Sequence, residues 1–319
     1  MKQRPRIVVL GSLVFDFVAR APRLPRLGET LLGDFFGMFP GGKGANQAVQ
    51  AGRLGAEVFM IGRVGQDFLG EQLLTSLRAS GVTTEFVRED TAVKTAACCI
   101  HVDAQGQNAI VIVPEANLAC GREDVDAAAK VIRSADVLVC QLEIPVATVA
   151  YAVALAAEQR RTVILNPAPA QPLPESILAC VTVLTPIDTE AEVLTGCPVK
   201  QPGHGEPDFC ASLSKAAAQL LGSGVENVII TLGEQGAYLR TKEREQHYPA
   251  FPITPVDTTA AGDAFNGALA VALGEGKSMD EAIRFANAAG ALSTTRAGAQ
   301  PSMARRDALE AFRKTLAPS

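Results

Sequence analysis

Short apolar runs recur along the chain, at Ile7–Leu10, Val58–Ile61, Val137–Cys140, Thr162–Leu165, Val181–Leu184 and Val228–Leu232. Each is nearly continuous rather than alternating, the pattern of a strand covered on both faces. From residue 130 onward the runs alternate with Ala-rich stretches of helical character. That order builds a parallel sheet with crossover helices, so the expected fold class is α/β: doubly wound, with a mostly parallel central sheet flanked by helices. Two segments break the rhythm, 14–38 and 95–113. The second has two apolar runs separated by the turn-like Asp103-Ala-Gln-Gly-Gln-Asn108. Both segments read as hairpins, which either pair with each other into a small β-sheet lid over the mouth of a site or extend the main sheet. Gln201–Asp208 is rich in turn formers and reads as a surface loop.

Length changes this picture little: 319 residues fit a single domain spanning 1–319, because one hydrophobic core stops growing near this size. Charge removes one class of partner. A net charge of -5 repels a phosphate backbone, so no nucleic acid is expected. No apolar run reaches the ~18 residues of a membrane span, and the charged start leads at once into a strand, so neither membrane nor signal peptide is expected and the cytoplasm is the default compartment. The 7 cysteines form no C-x-x-C pair and have no histidine at ligand spacing; they read as reduced thiols.

Candidate chemistry gathers at three places. Ala260, Ala261 and Gly262 open a helix, and their small size lets free N–H groups and the positive end of the dipole face an anion. Asp263 in the same turn reads either as a general base for a substrate hydroxyl or as a helix cap. Gly41, Gly42, Lys43 and Asn46 open a second helix; the glycines permit unusual dihedrals, and the lysine and amide offer donors to a polyhydroxylated ligand. Asp16, shortly after Gly11 and Ser12, and Glu143 both emerge from carboxyl ends of strands, where open α/β sheets bind ligands. Neither the Walker A spacing nor G-x-G-x-x-G is present.

These pieces in this order, with Asn166-Pro-Ala-Pro-Ala170, Thr185-Pro-Ile-Asp-Thr-Glu-Ala-Glu192, Thr231-Leu-Gly-Glu-Gln-Gly-Ala237, Glu281-Ala-Ile-Arg-Phe-Ala286 and Gly298-Ala-Gln-Pro-Ser302, resemble the PfkB carbohydrate kinase family, in its ribokinase branch, over essentially the whole chain. The resemblance implies an ATP-dependent kinase acting on a primary hydroxyl of a small sugar. D-ribose is the first acceptor to consider; another pentose, a ketohexose, a sugar acid or a nucleoside is the alternative, and a catalytically silent sugar-binding protein a further one. It also implies a lid that joins a homodimer. Asp263 matches the family's catalytic base, and Gly262 with Ala260 and Ala261 its anion hole. Ser12, Val14, Asp16, Gly41, Gly42, Lys43, Asn46 and Glu143 match its sugar-contacting stretches. Ile187, Thr231, Leu232, Gly233, Glu234, Gln235, Gly236, Gly262 and Asn287 match the part around ATP. Magnesium is implied near Glu190, and a monovalent cation, potassium, among Asp257, Thr259, Ser293, Arg296, Gly298 and Ser302. Two positions depart from the family pattern: Val14 and Ile187 stand where amides are expected.

Overall fold

The computed structural model describes residues 4–199 and 206–315. Its strands, in chain order, are β1 (Arg6–Leu10), β2 (Val14–Arg20), β3 (Phe35–Gly41), β4 (Glu57–Gly65), β5 (Val82–Asp90), β6 (Ala96–Val102) and β7 (Asn108–Val113). They continue as β8 (Val137–Cys140), β9 (Thr162–Leu165), β10 (Val183–Leu184), β11 (Asn227–Thr231), β12 (Ala237–Arg240) and β13 (Glu245–Tyr248). Among the described residues one sheet runs β13-β12-β11-β10-β9-β8-β1-β4-β5. From β11 to β5 every pairing is parallel, while β12 and β13 add an antiparallel hairpin at one edge.

Alternate residues of the central strands feed two cores. Ile7 and Val9 join one cluster with Ala45, Ala48, Ala264 and Ala268, whereas Val8 and Leu10 join another with Val149, Ala152, Leu213 and Ala216. Helices therefore cover both faces, which is why these strands carry no polar alternation. The helices Lys43–Arg53 and Ala261–Gly274 share the first core and lie unusually close: a Cβ on Gly267 would sit 2.6 Å from the carbonyl oxygen of Gln47.

Sequence and structure differ at the margins. The run Val181–Leu184 narrows to Val183–Leu184, and the next strand ends at Thr231 because Leu232 turns into the short helix Gly233–Gln235. The pattern does not predict β5, β12 and β13: the edge strands β5 and β13 carry charge on their open side, and β12 is only 4 residues long. The loop expected at 201–208 falls at 201–205 outside the described residues, and the helix Glu206–Gly222 begins within it.

The segments around 14–38 and 95–113 pair with each other in a separate sheet ordered β3-β2-β6-β7. β2 joins β3 antiparallel and β6 parallel, and β6 joins β7 antiparallel. This small sheet is hung on β1 by Gly11–Leu13. There Asn117 clamps the backbone of Leu13, accepting from its N–H at 3.0 Å and donating to its carbonyl at 3.0 Å. The clamp sits beside β1, whose neighbours β8 and β4 lead the chain off in opposite directions, so the carboxyl ends of β1 and β8 flank the crevice where such sheets bind ligands.

Candidate active site

Both helices that share the first core begin at this crevice. Helix 261–274 is entered through Ala260, a non-glycine residue in the left-handed region at φ 59, a conformation L-residues adopt only where surrounding contacts enforce it. The turn is open: a Cβ on Gly262 would meet nothing within 4 Å. The Ala261 N–H closes the turn onto the Thr258 carbonyl at 3.3 Å, while the amides of Gly262 and Asp263 have no intrahelical acceptor and are left for whatever occupies that space.

Asp263 follows in the same turn and is buried, 7% exposed. Its Oδ2 accepts from Asn46 Nδ2 at 2.9 Å and its Oδ1 from Gln47 Nε2 at 2.9 Å. Burial pushes its pKa up, and Glu143 adds to this; Lys43 and the two amides oppose. Lys43 is held above its ordinary value although burial works against its charge, because Asp263, Glu143 and Glu190 surround it. On the lid, Asp16 is raised from 3.8 to about 7 by burial, then by Glu143 and Asp263. Three carboxylates around one ammonium leave excess negative charge in a dry site, a setting that favours ligands bringing donors.

Of the two glycines, only Gly42 takes the unusual dihedral expected of both. Gly42 has φ 88, and a Cβ there would lie 2.7 Å from the Val14 nitrogen, so both its dihedral and its bareness are required. Gly41 has no unusual dihedral; its missing side chain makes room for the Asp16 carboxylate. Ser12, among the sugar-facing candidates, has its hydroxyl turned to protein partners. It is fully buried, its hydroxyl donates to Glu143 Oε2 and accepts from the Gly44 N–H at 3.3 Å, and so it braces the helix start. Glu143 Oε2 also accepts from the Lys43 N–H at 3.2 Å, a carboxylate on a helix N-terminus. Val14 is 2% exposed and forms a small apolar cluster with Ala96 and Cys98. Asn46 Oδ1 is buried with no partner among the described residues.

On the other side of the Ala260–Asp263 turn lies a cleft of about 520 Å³. Of the residues expected around a nucleotide, Ile187, Thr231, Gly233, Glu234, Gly236, Gly262 and Asn287 line it. Leu232 and Gln235 do not: Leu232 packs on the second core, and the Gln235 carbonyl is turned to His247 Nε2 at 2.7 Å. Sequence reading missed the wall made by Ala250, Phe251, Pro252, Ile253 and Pro255, together with Thr258, Phe265, Gly290, Ala291 and Thr294. An apolar, Pro-rich loop without charge was the only signal available. Ile187 presents a 42% exposed apolar side chain to the cleft, while its N–H donates to Glu190 Oε2 at 2.9 Å. Burial raises the pKa of Glu190, with Asp188 and Asp263 adding and Lys43 opposing.

The candidate cation ligands are gathered unevenly. Asp257 accepts from the Thr259 N–H at 2.9 Å and from the Gly298 N–H at 2.7 Å, which brings three of them together from two loops and, against burial, lowers the Asp257 pKa. Ser293 and Ser302 are buried, and each hydroxyl donates to a carbonyl of its own helix, Gly290 and Ala299. Each hydroxyl spends its proton there and keeps the lone pairs of its oxygen, so Oγ as well as backbone carbonyl oxygens can face a cation. Arg296 is exposed, and its N–H reaches the Ser293 carbonyl at 3.3 Å. One ionised carboxylate with backbone oxygens is a donor set suited to a hard monovalent cation.

The family described as pfkB family carbohydrate kinase matches residues 4–306. A ribokinase of Haemophilus influenzae is 39% identical over 96% of this chain and 98% of its own length. A deoxyribokinase of Salmonella typhi is 35% identical over 93% of this chain and 94% of its own. The structure of an Arabidopsis thaliana ribokinase complexed with ribose and ATP superposes with a TM-score of 0.89 at 31% identity, covering 99% of this chain and 100% of that one.

Proposed function

The chain belongs to the pfkB family of carbohydrate kinases, and from that premise we propose that it transfers the terminal phosphoryl group of ATP to the primary hydroxyl of D-ribose, giving ribose 5-phosphate and ADP. One observation carries the reading: Asp263, buried and gripped by two amides, shares a turn with Gly262, which opens into the nucleotide cleft. ATP lies in that cleft with its phosphates toward the amides of the turn, and the sugar lies under the lid among Asp16, Lys43, Asn46 and Asp263. Asp263 takes the hydroxyl proton as the acceptor oxygen bonds to the γ-phosphorus; the bond from phosphorus to the β-phosphate oxygen breaks, and its electrons leave with ADP. The anion-hole amides and Lys43 hold the charge on the moving group. A carboxylate whose pKa is raised by burial is a stronger base for that step. Magnesium bound with the nucleotide would neutralise phosphate charge, with Glu190 on its side of the site. Potassium at the Asp257–Gly298 turn would order the anion hole. The test is an ADP-release screen over pentoses, hexoses, sugar acids and nucleosides, with and without potassium; no release with D-ribose would defeat the proposal.

A second reading is favoured by the apolar patch Val14, Ala96 and Cys98 next to Asp16. A wall without donors or acceptors leaves a hydroxyl turned toward it unpaired, and an apolar wall discriminates weakly against a missing hydroxyl. Deoxyribose is therefore the competing acceptor, as the Salmonella relative's name suggests. Val14→Asn is expected to shift the ribose-to-deoxyribose ratio of kcat/KM about tenfold toward ribose. An unchanged ratio removes Val14 from specificity.

The lid also carries the proposed dimer contact. Phe36 is 64% and Val111 65% exposed on the small sheet. Replacing both with Glu is expected to give a monomer in sedimentation; a dimer would place the contact elsewhere. All seven cysteines are free, and no helix among the described residues is long and apolar enough to cross a membrane.

A further inference from the structure

The amide that holds Asp263 Oδ1 belongs to a chain whose polarity is set by the backbone. Asn166, just after β9, donates from Nδ2 to the Thr185 carbonyl at 3.1 Å. A carbonyl can only accept, so the Asn166 amide has one orientation and must present Oδ1 on its other side. Gln47 Nε2 donates to that oxygen at 3.1 Å, and its second hydrogen goes to Asp263 Oδ1. The remaining atom of the Gln47 amide, Oε1, accepts from Gln141 Nε2 at 2.6 Å. Every polar atom of Gln47 is therefore used, and flipping its amide would set oxygen against both Asn166 Oδ1 and a carboxylate. Gln141 sits beyond β8 in space that Gly11 leaves free by having no side chain. The same carbonyl-bearing residue reaches the other half of the site: the Thr185 hydroxyl donates to Asn266 Oδ1 at 2.7 Å, and Asn266 Nδ2 donates to the Gly262 carbonyl at 2.9 Å.

We propose that Gln47 is a positioning residue for the phosphoryl-transfer reaction, fixing the rotation of the Asp263 carboxylate relative to the anion-hole turn through the Asn166–Thr185 anchor. The torsion about the last bond of an aspartate is intrinsically broad, so a carboxylate held by Asn46 alone can swing. Two amides on two oxygens define its plane. The anchor joins the base and the amide turn to the ends of β9 and β10, so both move as one piece with the sheet. This role rests on the kinase reading above.

The test uses two replacements of nearly the same length. Gln47→Met removes both donors without adding charge. It is expected to lower kcat about 10- to 100-fold while KM for sugar and ATP stays within about threefold, because the carboxylate is misdirected rather than the ligands lost. The acid limb of the kcat profile moves to higher pH, since an N–H that favours the ionised form is gone. The charged groups facing Asp263 are unchanged in that variant: Lys43 from helix 43–53, Asp16 from the lid, Glu143 after β8, and Glu190. In Gln47→Glu the new carboxyl donates to Asp263 when protonated and repels it when ionised, so its loss of kcat deepens as pH rises. A purely structural role gives a loss that does not vary with pH. Carbon-13 NMR titration of the aspartate carboxyls reads the same change without turnover: the Asp263 pKa rises in Gln47→Met even if no sugar offered is phosphorylated. An unmoved Asp263 titration, or kcat within about twofold of the parent, overturns the assignment. Absence of ADP release by the parent enzyme would instead strike the kinase reading, leaving the titration to decide this one.

Discussion

Asp263→Asn is expected to lower kcat by about 10³-fold while sugar affinity stays within about threefold. The substitution keeps the side chain's shape and its site in the first turn of helix 261–274 but removes the acceptor of the hydroxyl proton. Its new NH2 group also faces the N–H groups of Asn46 or Gln47, so one of those amides must turn. Stability moves the other way. The Asp263 pKa is raised by burial, so its ionised form costs stability above the ordinary carboxylate range, and the neutral amide relieves that cost at neutral pH. Single-turnover kinetics and calorimetric titration with the sugar check the two halves. Retention of near-parental kcat would remove Asp263 from the chemistry, and loss of sugar binding with kcat intact would make it a binding group.

Asp16→Asn is expected to raise KM for the sugar about 100-fold, the effect of weakening hydrogen bonds to a charged acceptor worth roughly 1.5–3 kcal/mol each. Its pH signature is specific. The Asp16 pKa stands at about 7 in the sugar-free protein against 3.8 for an ordinary aspartate. A carboxyl with a raised folded-state pKa stabilises the fold most while protonated, so its contribution is fully present below the ordinary value and is lost as pH rises through about 7. The sugar-free variant therefore melts higher than the parent at about pH 8, and the difference closes toward about pH 4. Sugar hydroxyls donate to the ionised carboxylate, so the parent's KM rises as pH falls below about 7, whereas the variant's profile is flatter there. Differential scanning calorimetry across that range and KM at matched pH values provide the check. Equal melting temperatures at all pH values would show that Asp16 is not held protonated by its surroundings.

Much of the frame was legible before any coordinates. The runs Ile7–Leu10 and Val137–Cys140 are buried to the last residue, and a pattern with no polar interruption has only one comfortable place in a layered α/β fold. Edge elements were not legible, because β5 and β13 mix charge with apolar residues and look like loops or surface helix. In the site, chemically loud residues announced themselves: a glycine pair before a lysine, and an aspartate after three small residues. Quiet ones did not. Gln47, Gln141, Asn166 and Thr185 are ordinary polar residues whose importance lies in meeting one another across four separate elements, a fact of three-dimensional placement. Ser12 is the opposite case. It follows a strand and a glycine as a ligand contact would, but its hydroxyl is consumed by Glu143 and the Gly44 amide. The Phe251–Pro255 wall of the cleft escaped because apolar loops are common and only the cavity behind this one gives it meaning.

The grip on the base joins residues 217 positions apart in the chain. A ribosome adding about 5–20 residues per second takes on the order of tens of seconds to cover that interval. Throughout that time helix 43–53 is exposed on the nascent polypeptide without the helix that covers it, its alanine face bare and the amides of Asn46 and Gln47 lacking their carboxylate. No partially synthesised chain lacking Asp263 can hold a working site. Competence arrives late and all at once, when helix 261–274 docks.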